Sequence, residues 1–89
     1  MLNKELLIIN KLGLHARAAA KFVNVAARYG SSVRVKYGEK EVDGKSIMSV
    51  MMLAAAKGAL LEVSTNGPDE HEAMQALADI IANRFEESE

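Results

Sequence analysis

The stretch ARAAAKFVNVAARYGSSVRVKY, Ala16 to Tyr37, changes its period halfway along. Up to Arg28, the residues Ala16, Ala19, Ala20, Val23, Ala26 and Ala27 share one face at about 100° per residue, and Arg17, Lys21, Asn24 and Arg28 lie on another. That is an amphipathic helix, closed by Gly30. From Ser32 to Tyr37 the alternation is strict, with Val33, Val35 and Tyr37 against Arg34 and Lys36, as in a strand with one open face.

Working outward, Gly38-Glu39 reads as a tight turn into a short strand over Lys40 to Val42, closed by Asp43-Gly44. Ser46 then stands as a cap before a short helix from Ile47 to Leu53. Leu60 to Thr65 alternates as another strand, and Asn66-Gly67-Pro68 is a turn. Asp69, Glu70 and Glu72 place negative charge at the start of a last helix, where it suits the dipole; Met74, Leu77, Ala78, Ile81 and Phe85 recur along it at helical spacing. Glu86-Glu87-Ser88-Glu89 is expected to be a frayed, solvated tail. At the other end, Leu2 to Ile9 holds the apolar run Leu6-Leu7-Ile8-Ile9, which predicts a buried first strand. The order βαββαβα predicts an α+β fold, a two-layer open-faced sandwich with three helices on one face of a four-stranded antiparallel sheet. Residues 1–89 are expected to make one domain, with Arg34 and Lys36 on its open face.

Composition narrows the function. Eleven Lys and Arg against twelve Asp and Glu give a net charge of −1, without the basic excess that nucleic-acid binding demands. No apolar run approaches the roughly 20 residues of a membrane-spanning helix, and the N-terminal segment lacks the basic flank and small-residue cleavage site of a secretory signal. With no cysteine there is neither a disulfide nor a thiolate-held metal, and two histidines alone make no convincing metal site. A soluble cytoplasmic monomer is expected, with no metal or other cofactor and no direct insertion into membranes. His71, among Asp69, Glu70 and Glu72, is given no function.

His15 is the most informative residue, lying in Gly13-Leu14-His15-Ala16-Arg17 where the loop after the first strand enters the first helix. A helix start exposes amide hydrogens without intrahelical partners, and with the dipole these make a site for an anion such as phosphate. Ala16 and Arg17 would offer such amides. The same field favours a neutral imidazole whose free nitrogen can act as a nucleophile. Arg17 could fork onto phosphoryl oxygens, and Gly13 suits a loop that bends sharply or approaches another group closely. On residue types alone the commoner alternative stands beside this: His15 as a solvent-facing cap, and Arg17 as a solvated helix charge.

The segment Asn10-Lys11-Leu12-Gly13-Leu14-His15-Ala16-Arg17, followed by Ala19-Ala20, resembles the active-site segment of the histidine-containing phosphocarrier proteins, the HPr family. The resemblance runs from about Leu2 to Phe85 and includes Gly44-Lys45-Ser46-Ile47-Met48. It implies a phosphocarrier that is not an autonomous catalyst. A first phosphotransferase, charged by phosphoenolpyruvate, would phosphorylate His15 on Nδ1, and His15 would pass the group to sugar-specific components. Arg17 and the amides of Ala16 and Arg17 would steady the phosphate. One departure stands out: the family's motif usually continues with proline after the arginine, and here Ala18 takes that place. Alanine keeps the helix turn, and it leaves room for a divergent branch such as the nitrogen-related paralogues, with regulatory rather than transport roles.

Ser46 has a structural reading as a helix cap. The resemblance adds a second, as a regulatory site for a serine kinase and the matching phosphorylase. The helix that follows is apolar around most of its circumference, so part of it must stay exposed, and flexible thioethers suit a surface that accepts several partners in turn. The resemblance makes that helix a docking surface: Ile47, Met48 and Met51 are its expected contacts, Lys21 and Lys45 its positive rim, and Ala18, Phe22 and Val25 possible contributors from the first helix. A reading from a different class remains open here, a small interaction module in which His15 only caps a helix.

Overall fold

The computed structural model describes residues 1–89. Its elements are β1 (Leu2–Leu7), α1 (Ala16–Ala26), β2 (Ser32–Tyr37), β3 (Lys40–Asp43), α2 (Ile47–Met52), β4 (Leu60–Asn66) and α3 (Glu70–Ala82), followed by a 3-10 turn at Arg84–Glu86. The four strands form one sheet in the order β1-β4-β2-β3, with every neighbouring pair antiparallel. Tyr37 pairs with Lys40, which leaves Gly38-Glu39 as a two-residue hairpin turn; Gly38 takes φ +63, a conformation that twists in step with the strands it joins. All three helices cover one face of the sheet, where Val33 and Val35 of β2 and Leu61 and Val63 of β4 join a core with Phe22, Leu77 and Ile81. Arg34 and Lys36 face solvent on the other side, as the alternation predicted. None of these helices is long and apolar enough to cross a membrane.

The expected element order is the observed one, but four local readings need correction. In β1 the apolar run is not uniformly buried: Leu6 and Ile8 are buried whereas Leu7 is half exposed, because the sheet is covered on one face only. In α1 the buried arc is Ala18, Ala19, Phe22, Val23, Val25 and Ala26, while Ala16 and Ala27 are exposed. The helix packs against α2 on one side and against α3 and the turn after it on the other, so it buries a wider arc, turned from the predicted stripe. Ala18, Phe22 and Val25 are therefore core residues rather than surface contributors.

The acids before α3 divide their work. The Asp69 carboxylate caps nothing in its own helix and instead accepts from the amides of Gly30 and Ser31, each at 2.9 Å, and from the Ser31 hydroxyl, tying the α1–β2 connection to α3. Those bonds, led by the Ser31 hydroxyl, hold its carboxyl below the usual range. Glu70 accepts from the Gly67 amide at 3.1 Å.

The fourth correction concerns the C-terminus. Helix α3 stops at Ala82, and Arg84, Phe85 and Glu86 take left-handed φ values of 54, 53 and 66. For residues other than glycine this costs about 1–2 kcal/mol each. The turn persists because it seats the Phe85 ring in the core, fully buried, and because Lys21 Nζ donates to the Phe85 carbonyl at 2.8 Å. The tail beyond it is docked rather than frayed. The Lys11 amide donates to the Glu89 carbonyl at 2.7 Å, and Glu87 reaches the loop between β1 and α1.

Candidate phosphoryl-transfer site

The loop from Ile8 to Leu14 delivers His15 to the start of α1. Gly13 adopts φ +67, and a Cβ there would lie 2.5 Å from the Ala55 carbonyl oxygen and 2.8 Å from Ala56 Cα. Only glycine lets the loop press so close to the chain that follows α2. The Leu14 amide donates to that Ala55 carbonyl at 2.8 Å, and the buried Leu14 side chain anchors the loop to the core. Asn10, fully buried, donates from Nδ2 to the Gly13 carbonyl at 2.8 Å and to Glu87 Oε1 at 3.0 Å. Aiming both amide hydrogens at the loop and tail leaves its Oδ1 buried without a partner.

His15 is the N-cap of α1, in an extended conformation at φ −71, ψ 176. Its Nδ1 accepts from the Arg17 amide at 3.3 Å, and its Nε2 meets the Glu87 carboxylate. The cap reading and the nucleophile reading thus fall on the same atom. The ring sits in a shallow open cleft with Lys11, Leu12, Ala16, Arg17 and the tail residues Glu87, Ser88 and Glu89. Arg17 and Ala16 are exposed there beside it. Lys11 also meets the Glu89 carboxylate, at 3.2 Å. Burial by itself would raise the Glu87 carboxyl, but the bonds from Asn10 and His15, with the charge of Lys21 nearby, hold it below the usual range.

Ala18 is the third residue of α1, where an amide has no intrahelical acceptor in any case. The first helical bond runs from Ala19 to the His15 carbonyl at 2.8 Å, so the opening turn forms with alanine at the position before it.

A model of the phosphotransferase system, "PTS HPr component phosphorylation site", matches residues 2–83. The chain belongs to the HPr family. The phosphocarrier protein HPr of Pseudomonas aeruginosa is 63% identical over 86 residues, 96% of both chains. That of Cupriavidus necator is 54% identical over 89 residues, covering each chain fully. Among solved structures, HPr-C-His from Thermoanaerobacter tengcongensis superposes with a TM-score of 0.96 at 42% identity, over the whole of both chains. Membership of the HPr family makes this a phosphocarrier of the phosphotransferase system, and the solved HPr structures share its open-faced sandwich.

The other expected site residues fall in two places. Ser46 caps α2, its Oγ accepting from the Ser49 amide at 3.3 Å. Lys45 beside it is turned inward, Nζ donating to the Tyr29 carbonyl at 2.7 Å. Lys21 is likewise engaged, on the Phe85 carbonyl and on Glu86 at 3.3 Å, so neither lysine stands as a free rim charge. On α2 only Val50 is buried. Ile47 and Met51 are about 40% exposed, Met48 72% and Met52 70%, which adds Met52 to the expected apolar surface. Glu87 and Asn10 are the residues of the site that the sequence did not single out.

Proposed function

We propose that His15 is the residue that carries the phosphoryl group, taking it on Nδ1 from a phosphoenolpyruvate-charged first phosphotransferase and passing it to sugar-specific components. The observation that supports this most is the placement of Nδ1: a lone pair at a helix start, in an open cleft, facing the Arg17 amide. When that lone pair forms a bond to phosphorus, the Arg17 amide it releases, together with the Ala16 amide and the guanidinium of Arg17, both residues of the cleft lining, would serve the phosphoryl oxygens. In-line transfer between two nitrogens needs alignment and charge stabilisation more than acid–base chemistry, and an exposed cleft lets donor and acceptor meet the same atom in turn. In this reading a cytoplasmic monomer suffices, since one chain supplies loop, helix start and tail.

The test is the intact mass of the protein after incubation with phosphoenolpyruvate and a purified first phosphotransferase. One acid-labile, base-stable phosphate is expected; none from either the sugar-branch or the nitrogen-branch donor would remove the reading. The faster of the two donors assigns the branch.

The exposed Ile47, Met48 and Met51 are proposed as the surface that donor and acceptors cover. Met48 is mostly in solvent, so Met48→Glu should leave the unfolding midpoint unchanged while weakening the complex with the first phosphotransferase by about tenfold or more, as burying an unpaired charge at an interface would. Calorimetric titration reads both partners' affinity, and an unchanged value would discard the surface.

Ser46 is proposed as a regulatory site for an ATP-dependent serine kinase. A phosphate there would add about −1.5 to −2 charges at the start of α2, beside that apolar surface, without touching His15. Incubation with such a kinase should add one phosphate that Ser46→Ala loses; no mass increase on the wild type would end the idea.

A further inference from the structure

The tail brings a carboxylate to the far side of the reacting ring. Glu87 lies 72 residues from His15 in sequence, yet its Oε2 meets Nε2 while its Oε1 accepts from the buried amide of Asn10. Two fixed partners therefore grip the ring at once. The Arg17 amide donates to Nδ1, and the Glu87 carboxylate, an acceptor only, requires the proton on Nε2. Glu87 is itself held from three sides: by Asn10, by the left-handed turn whose buried Phe85 starts the tail, and by the Lys11 amide on Glu89 beyond it. A solvated tail would not keep one carboxylate in place on an imidazole against the entropy of its own side chain.

We propose that Glu87 is a positioning residue for phosphoryl transfer, fixing the His15 ring with its proton on Nε2 so that Nδ1 alone presents a lone pair, and stabilising the charge the ring gains when Nδ1 is phosphorylated. The inference rests on His15 being the phosphoryl carrier. On uptake the Arg17 amide leaves Nδ1 for a phosphoryl oxygen, the freed Nδ1 lone pair forms the bond to phosphorus, the donor's bond to that phosphorus breaks, and its electron pair stays with the donor. The Nε2 proton is neither lost nor gained. The ring therefore becomes an imidazolium, with the Glu87 carboxylate already facing its N–H. On delivery the bond from Nδ1 to phosphorus breaks, the pair returns to Nδ1, and the ring is neutral again with the same proton in the same place. No proton has to travel in either direction, which suits a site that serves different partners.

The experiment is single-turnover phosphoryl uptake from the phosphorylated first phosphotransferase, measured over a range of donor concentrations for wild type, Glu87→Ala and Glu87→Gln. Wild type should take up one phosphate. Glu87→Ala should lower the limiting rate on the order of tenfold, the scale of one charge-assisted hydrogen bond, while the donor concentration for half-maximal rate changes less than about twofold, because uniform binding is untouched. Glu87→Gln, which keeps an acceptor for Nε2–H but no charge, should recover part of the rate. The Nε2–H proton signal, sheltered in wild type and in Glu87→Gln, should exchange away in Glu87→Ala. A Glu87→Ala protein with the wild-type limiting rate, or one altered only in half-saturation, overturns the assignment while leaving the carrier reading intact. A wild type that takes up no phosphate overturns the carrier reading itself.

Discussion

Exchanging His15 for asparagine is expected to abolish phosphoryl uptake completely while leaving α1 folded. The residue has two separable tasks, because its Nδ1 both caps the helix through the Arg17 amide and, in the proposed chemistry, attacks phosphorus. Alanine would remove both at once, with a cap loss of about 0.5–2 kcal/mol confounding the result. Asparagine is among the best N-caps, so its side-chain oxygen can hold the amide of the first turn, but an amide is no nucleophile toward phosphorus. Intact mass after incubation with phosphoenolpyruvate and the first phosphotransferase should show one phosphate on wild type and none on His15→Asn or His15→Ala. Thermal unfolding should rank His15→Asn above His15→Ala. Phosphate retained on His15→Asn would place the carrier elsewhere, and no uptake by wild type would leave His15 as a cap alone.

The largest stability effect is expected from Phe85→Ala, at about 3–5 kcal/mol. The ring is fully buried yet lies outside the last helix, held by a turn of three left-handed residues that has no glycine to ease it. Its burial is the main term set against that backbone strain. Removing it leaves a cavity next to α3 and takes away the reason for the turn, so the tail should leave the His15 cleft. Two readouts follow together: a lower denaturant midpoint, and loss of the sheltered Nε2–H signal of His15 although residue 85 touches neither ring nor cleft. Glu87→Ala should lose the same signal with little change in midpoint, since it keeps the ring. A Phe85→Ala protein that loses less than about 1 kcal/mol would show that the tail docks without its anchor.

Much of this protein is legible in its local patterns. The 3.6-residue repeat of α1, the strict alternation of β2, the Gly38-Glu39 turn and the Ser46 cap are each decided by residues within four positions of one another, and the structure has all of them. The His15 segment at a helix start was readable for the same reason. Periodicity says less about how wide an arc a helix buries. A single stripe leaves Ala18 and Val25 outside it and Phe22 at its flank, whereas α1 packs between α2 and α3 and buries all three. A methionine-rich short helix, by contrast, has too much apolar surface for any packing to hide, and Met48 and Met52 remain largely in solvent.

By itself the sequence determined the βαββαβα order, the antiparallel open-faced sandwich and the nucleophile candidate at the head of α1, since propensity, capping and alternation act over a few residues of chain. Only the tertiary structure decided which distant groups meet. Asp69 serves Gly30 and Ser31 rather than its own helix, Lys21 holds the Phe85 carbonyl rather than an open rim, and Glu87 closes on His15 rather than trailing in water. In the chain, Glu86-Glu87-Ser88-Glu89 has every local property of a solvated tail; what docks it is the pocket that takes Phe85, and that pocket exists only once the helices have packed on the sheet.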